Sequence, residues 1–138
     1  MINKLLLIDD DELTSYLVKK LIGSVGNVKE IVIKENGLEG LEYLAELKAH
    51  NSVFPEVILV DIDMPIMNGF EFVEAYENEY VNNGGTRLIM ITSSKRQLDF
   101  DKCLSYSSVL NCIYKPLTRE KIGAILSNSL DYVQMKQA

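Results

Sequence analysis

Short apolar runs that are continuous rather than alternating constrain this chain more than any other feature. Residues 5–8 (LLLI), 57–60 (VILV) and 88–91 (LIMI) are apolar at every position. A strand of that kind has both faces covered, the condition of a parallel sheet packed between two layers of helices. Two further runs, 31–33 (IVI) and 109–114 (VLNCIY), bring the set to five.

Segments with helical spacing separate the runs. Leu13, Leu17 and Leu21 recur every four residues, and Leu38, Leu41, Leu44 and Ala45 line one face of the next segment. Phe72, Val73, Tyr76 and Tyr80 mark a third helix, and Ile122, Ile125, Leu126, Leu130 and Val133 a last one. Between residues 95 and 106 the pattern is less regular, with Leu98, Cys103 and Leu104 as core candidates. Breakers punctuate the scheme: Gly23 and Gly26 after the first helix, Asn36-Gly37 before the second, and Asn82-Asn83-Gly84-Gly85 after the third. Thr118 is placed to cap the last helix, with Glu120 in its first turn. Strand and helix thus alternate five times, which predicts an α/β fold with right-handed crossovers and helices on both sheet faces. The 138 residues leave room for one domain, 1–138, with no output domain attached.

The polar residues at the ends of these runs point to function. Asp9, Asp10 and Asp11 follow the first run, Asp61 ends the third, Thr92 the fourth, and Lys115 the fifth. All carboxyl ends of a parallel sheet share one edge, where doubly wound folds bind their ligands. Asp11 suits a helix N-cap or first-turn charge. Asp9, Asp10 and Asp61 would repel one another by about 1 kcal/mol or more per pair at a few ångströms, unless a proton or cation intervenes. Mg2+ is the natural relief, since it takes carboxylate, phosphate and water oxygens. With Lys115 as a second positive charge and the Thr92 hydroxyl as a donor, the set is equipped for phosphoryl transfer, and Asp61 would be the nucleophile.

Charge and targeting signals exclude other classes. Lys and Arg number 14 against 20 Asp and Glu, a net charge of −6, which argues against nucleic acid or anionic membranes as partners. The start, MINKLLLIDD, has too short an apolar stretch for a signal peptide or a spanning helix, so a cytoplasmic location is expected. Cys103 and Cys112 lack metal-ligand spacing and are read as reduced thiols, and His50 as a solvated surface residue.

LLLIDDDE, VDIDMPIMNG, IMITSS and YKPL, in that order, resemble the receiver domain of two-component response regulators, as does ENGLEGLEYL in the second helix. The resemblance covers residues 3 to 133. It implies a flavodoxin-like doubly wound sheet of strand order 2-1-3-4-5, with Asp61 phosphorylated by a histidine kinase or histidine phosphotransfer protein. It further implies Mg2+ held directly by Asp10, by Asp61 and by the backbone carbonyl of Asp63, with Asp9 acting through water or orienting the site. Thr92 would shift toward the phosphoryl group, Lys115 would pair with it, and the Lys115-Pro116 bond would be cis. The output would be a switched protein-binding surface for an unidentified downstream protein, in a monomer or weak homodimer.

Two positions depart from the family pattern. The family carries Phe or Tyr three residues before its lysine, where this chain has Cys112. Tyr114 shares a strand face with Cys112 and could substitute, or simply pack at the sheet edge. Asp63 is an acid where many receivers are neutral, and with Ser94 it occupies positions the family uses to tune hydrolysis. Two rival readings stand beside the receiver. One is a degenerate receiver that binds partners without phosphate, against which the complete acid, Thr92 and Lys115 set argues. The other is a haloacid-dehalogenase-type phosphatase built on Asp61 and Asp63, against which Pro65, the mid-chain position and the lack of a cap segment argue.

Overall fold

A computed structural model describes residues 1–80 and 85–128. Five strands, β1 (Ile2–Ile8), β2 (Val28–Lys34), β3 (Val57–Asp61), β4 (Arg87–Thr92) and β5 (Val109–Tyr114), alternate with five helices. The helices are α1 (Glu12–Val25), α2 (Gly37–Ala49), α3 (Gly69–Tyr80), α4 (Gln97–Ser105) and α5 (Arg119–Ser127). The strands form one parallel sheet of order β2-β1-β3-β4-β5, the flavodoxin-like topology expected.

Strand alternation sorts the core into two layers. Leu6, Ile8, Ile58, Val60, Leu88 and Met90 face α2, α3 and α4, while Leu5, Leu7, Val57, Leu59, Ile89 and Ile91 face α1 and α5. Every residue of β3 is buried, in keeping with its unbroken apolar run, whereas the edge strand β2 has no fully buried position.

The helix faces hold three corrections. In α1 the buried residues are Ser15, Val18 and Ile22; of the expected stripe Leu21 is partly buried against the core, whereas Leu17 is 48% and Leu13 63% exposed. In α2, Leu44 and Leu47 turn inward, while Leu38 and Ala45 are exposed. In α4 only Cys103 is buried, and Leu98 is 72% exposed. The α3 stripe and the Ile122 and Ile125 positions of α5 are buried as expected. Leu130, Val133, Asn82, Asn83 and Gly84 lie outside the described residues. Gly23 lies inside α1 rather than after it, and Gly26 ends the helix at φ +86, where a side chain would be strained.

Caps fix the helix starts. Asp11 accepts from the Leu13 N–H at 3.1 Å, Asn36 from Glu39 at 3.0 Å and Thr118 from Lys121 at 3.2 Å. Because each capping residue sits in a loop at the carboxyl edge of the sheet, the caps also hold that edge in place.

Candidate functional site

The expected polar residues converge at this edge. Asp9 and Asp10 follow β1 directly, Asp61 and Thr92 are the last residues of β3 and β4, and Lys115 follows β5. One carboxylate oxygen from each of Asp9, Asp10 and Asp61 lies within 4.8 Å of the others. Lys115 Nζ reaches into the group, 2.9 Å from Asp9 Oδ2 and 3.4 Å from Asp61 Oδ1. The Asp9 side chain is fully buried, and its Oδ1 accepts from the Asp11 N–H at 2.9 Å. Asp10 is exposed, so the cluster opens to solvent on one side.

The electrostatics follow from this crowding. Burial first, and then the Asp9 charge, raise the Asp61 carboxyl to about 7, against a smaller opposing pull from Lys115. Burial alone would lower the Lys115 pKa, but the bond to Asp9 and the charges of Asp61 and Asp9 outweigh it, and the net shift is upward. The site therefore carries more negative charge than one lysine neutralises.

That surplus is the test of whether a metal fits. The donors are all carboxylate oxygens, close together and open on one side, which suits a hard divalent cation that keeps water and phosphate ligands. The opening leads into a pocket of ≈ 370 Å3 lined by Asp10, Asp63, Met64, Pro65 and Asn68. Asp9, Asp10 and Asp61 are thus the side chains that can hold the ion.

The loop after Asp61 is tightly specified. The Met67 N–H donates to the Pro65 carbonyl at 2.7 Å, closing a γ-turn around Ile66 at φ +70. A β-branched residue there is strained by about 1–3 kcal/mol. The start of α3 holds this strain in place. Asn68 and Glu71 cap each other's N–H groups at 2.9 and 3.0 Å, and the Gly69 N–H donates to the Ile62 carbonyl at 2.8 Å. A Cβ on Gly69 would run into the Asp61 carbonyl oxygen and come 2.9 Å from Ile62 Cα, so only glycine lets α3 start against the end of β3. The Asn-x-x-Glu spacing is the sequence signal of this capping box, and apolar patterning alone does not reveal it.

Thr92 is buried, and its Oγ1 accepts from the Ser94 N–H at 2.9 Å, which leaves the hydroxyl proton for another acceptor. Its carbonyl accepts from the Lys115 N–H at 2.7 Å, and the Lys115-Pro116 bond is cis. Ser94 Oγ donates to Asp99 at 2.6 Å and accepts from the Arg96 N–H at 3.2 Å. Asp63 is exposed on the pocket rim. Cys112 is fully buried in the layer beneath α4, where its thiol bonds to Cys103. That bond, with burial, drives the Cys103 thiol upward, and both cysteines are free and buried. Tyr114 is half-buried on the same face, and its ring stacks on Phe100 at 5.8 Å.

Fold and edge together define a doubly wound α/β protein with an acidic, cation-compatible pocket at its strand ends. The chain belongs to the response regulator receiver domain family, whose model matches residues 5–127. It is similar to the hybrid signal transduction histidine kinase I of Dictyostelium discoideum, 28% identical over 92% of this chain and 7% of that protein. It is 30% identical to the sensor histidine kinase CheAY of Helicobacter pylori, over 91% of this chain and 15% of that protein. The chain thus spans less than a quarter of the length of these curated relatives. A solved two-component response regulator from Cytophaga hutchinsonii superposes with a TM-score of 0.84 at 27% identity, covering 94% of this chain and 98% of that one. The domain is therefore a signalling domain of the phosphoryl-accepting, CheY-like kind, a class that works with histidine kinases or phosphotransfer proteins. Among the described residues no helix is long and apolar enough to cross a membrane.

Proposed function

We propose that this domain accepts a phosphoryl group on Asp61 with Mg2+ bound at Asp9, Asp10, Asp61 and the Asp63 carbonyl, and that the modification switches a protein-binding surface. The observation that carries the reading is the meeting of three carboxylates and the Lys115 ammonium at one sheet edge.

The Asp61 carboxylate attacks the phosphorus of a phosphohistidine. The new P–O bond forms as the P–N bond breaks, and the leaving imidazole keeps the electron pair and takes up a proton. Lys115, already beside Asp61, pairs with the transferred group, and the Thr92 hydroxyl donates to one of its oxygens. Mg2+ held by Asp9, Asp10 and Asp61 would supply charge neutralisation for the transferring group.

The donor protein has a docking surface beside the pocket. Leu13, Tyr16 and Leu17 stand exposed on α1, and a groove of ≈ 300 Å3 lined by Leu17, Val18, Pro116 and Leu117 runs past Lys115. An apolar helix carrying a phosphohistidine suits it.

Incubation with acetyl phosphate and Mg2+, followed by mass mapping, tests the proposal. One phosphoryl group should appear on Asp61, be absent from Asp61→Asn, and be prevented by a chelator. Incorporation elsewhere, or none at all, rejects it.

A further inference from the structure

Lys121 violates three electrostatic preferences, and what it touches explains why. It is the third residue of α5, where its own backbone N–H is taken by the Thr118 cap. A capping box calls for Glu or Gln at that place, and a cation there opposes the helix dipole. The ammonium is also partly desolvated and faces the charge of Lys95, whose Nζ stands 4.5 Å from the Tyr114 ring centroid. Burial first, and then that charge, hold the Lys121 pKa below its ordinary value. Against these costs stand two bonds. Lys121 Nζ donates to the Tyr114 carbonyl at 2.7 Å and to the Pro116 carbonyl at 3.3 Å, the carbonyls on either side of Lys115.

The Lys115 N–H is bonded in turn to the Thr92 carbonyl at 2.7 Å, so the backbone around Lys115 is held from β4 on one side and from α5 on the other. Its side chain needs that hold. The stem borders the groove of ≈ 300 Å3 beside α1 rather than solid core, so packing alone does not fix it. The ammonium must nonetheless arrive 2.9 Å from Asp9 and 3.4 Å from Asp61. A misplacement of about 1 Å at such a site can cost about a hundredfold in rate.

We infer that Lys121 is a positioning residue for the phosphoryl-transfer site: by holding the two carbonyls that flank Lys115, it aims the Lys115 ammonium at Asp9 and Asp61. The inference rests on Asp61 being the phosphoryl acceptor. Lys121 acts through Lys115 and not on the reacting atoms. Without its hold the Lys115 ammonium drifts off the acids, with two consequences of opposite sign. The pocket becomes more negative, so Mg2+ binds more tightly. The transferring group loses its second cation, so phosphoryl uptake slows.

Lys121→Met, which keeps the apolar stem, tests both. Mg2+ titrated by calorimetry should bind it at least about threefold more tightly than wild type. Phosphorylation of Asp61 by acetyl phosphate, followed by mass at saturating Mg2+, should slow at least about fivefold. A merely structural role would weaken metal binding and uptake together. Lys115→Gln alone should shift both readings in the same directions, and adding Lys121→Met to it should change the Mg2+ affinity by less than about 1.5-fold. Lys95→Gln removes a neighbouring charge while leaving both carbonyl bonds in place, and should phosphorylate within about twofold of wild type. If Lys121→Met does not fold, Lys121→Gln, with one amide for two carbonyls, replaces it in every comparison. Unchanged readings, weaker Mg2+ binding, or an effect that persists undiminished in the Lys115→Gln background overturns the inference. So does a Lys95→Gln variant as slow as Lys121→Met. A wild type that takes no phosphoryl group on Asp61 refutes instead the proposed function, and this inference with it.

Discussion

The Lys115 ammonium sits 2.9 Å from Asp9 Oδ2, on a carboxylate with no exposed side-chain surface. The lysine is therefore committed first to Asp9, and Asp61, at 3.4 Å, is only partly compensated. The Asp61 carboxyl near 7 is the consequence, and it can be read in the protein's stability.

Asp61 binds its proton more tightly folded, at about 7, than at the ordinary 3.8 of an unfolded chain. Its contribution is therefore intact below about pH 4 and is lost as pH rises toward 7, because the folded state then holds the more protons. Asp61→Asn removes this loss. In metal-free buffer the variant should exceed wild type by about 1–3 kcal/mol at pH 8 and match it near pH 4, measured by urea melts. Mg2+ should close the gap at pH 8, since it binds only the folded wild type. Equal melts at both pH values would contradict the charge surplus.

Removing Lys115 leaves Asp9 buried without its cation. Lys115→Gln should cost about 1–3 kcal/mol in metal-free thermal melts, with millimolar Mg2+ recovering most of the loss. A loss that Mg2+ does not recover would mean the lysine acts by packing rather than by charge.

Gly69 has no space for a methyl group against the Asp61 carbonyl. Gly69→Ala should lower stability by about 2–4 kcal/mol in denaturant melts, because backbone on both sides must shift. It should also weaken beryllofluoride binding, since the displaced carbonyl belongs to Asp61, the proposed acceptor.

Asp63 on the rim can accept a hydrogen bond from water approaching the acyl phosphate, whereas Ser94 has its hydroxyl spent on Asp99. Asp63→Asn should slow the decay of the phosphorylated protein by about threefold or more, monitored as loss of the mass increment. Ser94→Ala should act instead through α4, by freeing Asp99. Decay rates unchanged in both variants would remove these residues from any role in phosphate lifetime.

The polar cluster was legible because strands with both faces covered announce themselves as apolar runs, and the residue ending each run must lie on the common edge. Asp9, Asp61, Thr92 and Lys115 needed nothing more. The helix faces were less legible because apolar spacing on α1 does not mark its inner side. Leu13 and Leu17 recur at helical spacing but lie on the outer side, while the smaller Ser15 and Val18 pack inward. Leu98 misled in the same way in α4. The γ-turn at Ile66 had no sequence signal, since a β-branched residue is the last expected at positive φ. Nor could spacing show Lys95 lying on Tyr114, because that contact depends on how the loop after Thr92 folds back.

One irregularity in the sheet reaches further than its size suggests. Leu88 pairs with Val109 but Ile89 pairs with Asn111, so Leu110 is a supernumerary residue, half out in solvent. It sets the phase of everything after it: because of that spare residue, Val109 and Cys112, an odd count apart, point into the same layer. Shortening the chain by Leu110 would force a choice between expelling Val109 and rotating the rest of β5 by half a pleat, which would swing Lys115 away from its acids. A lesion at the far end of the strand would then present itself as a failure to hold phosphate.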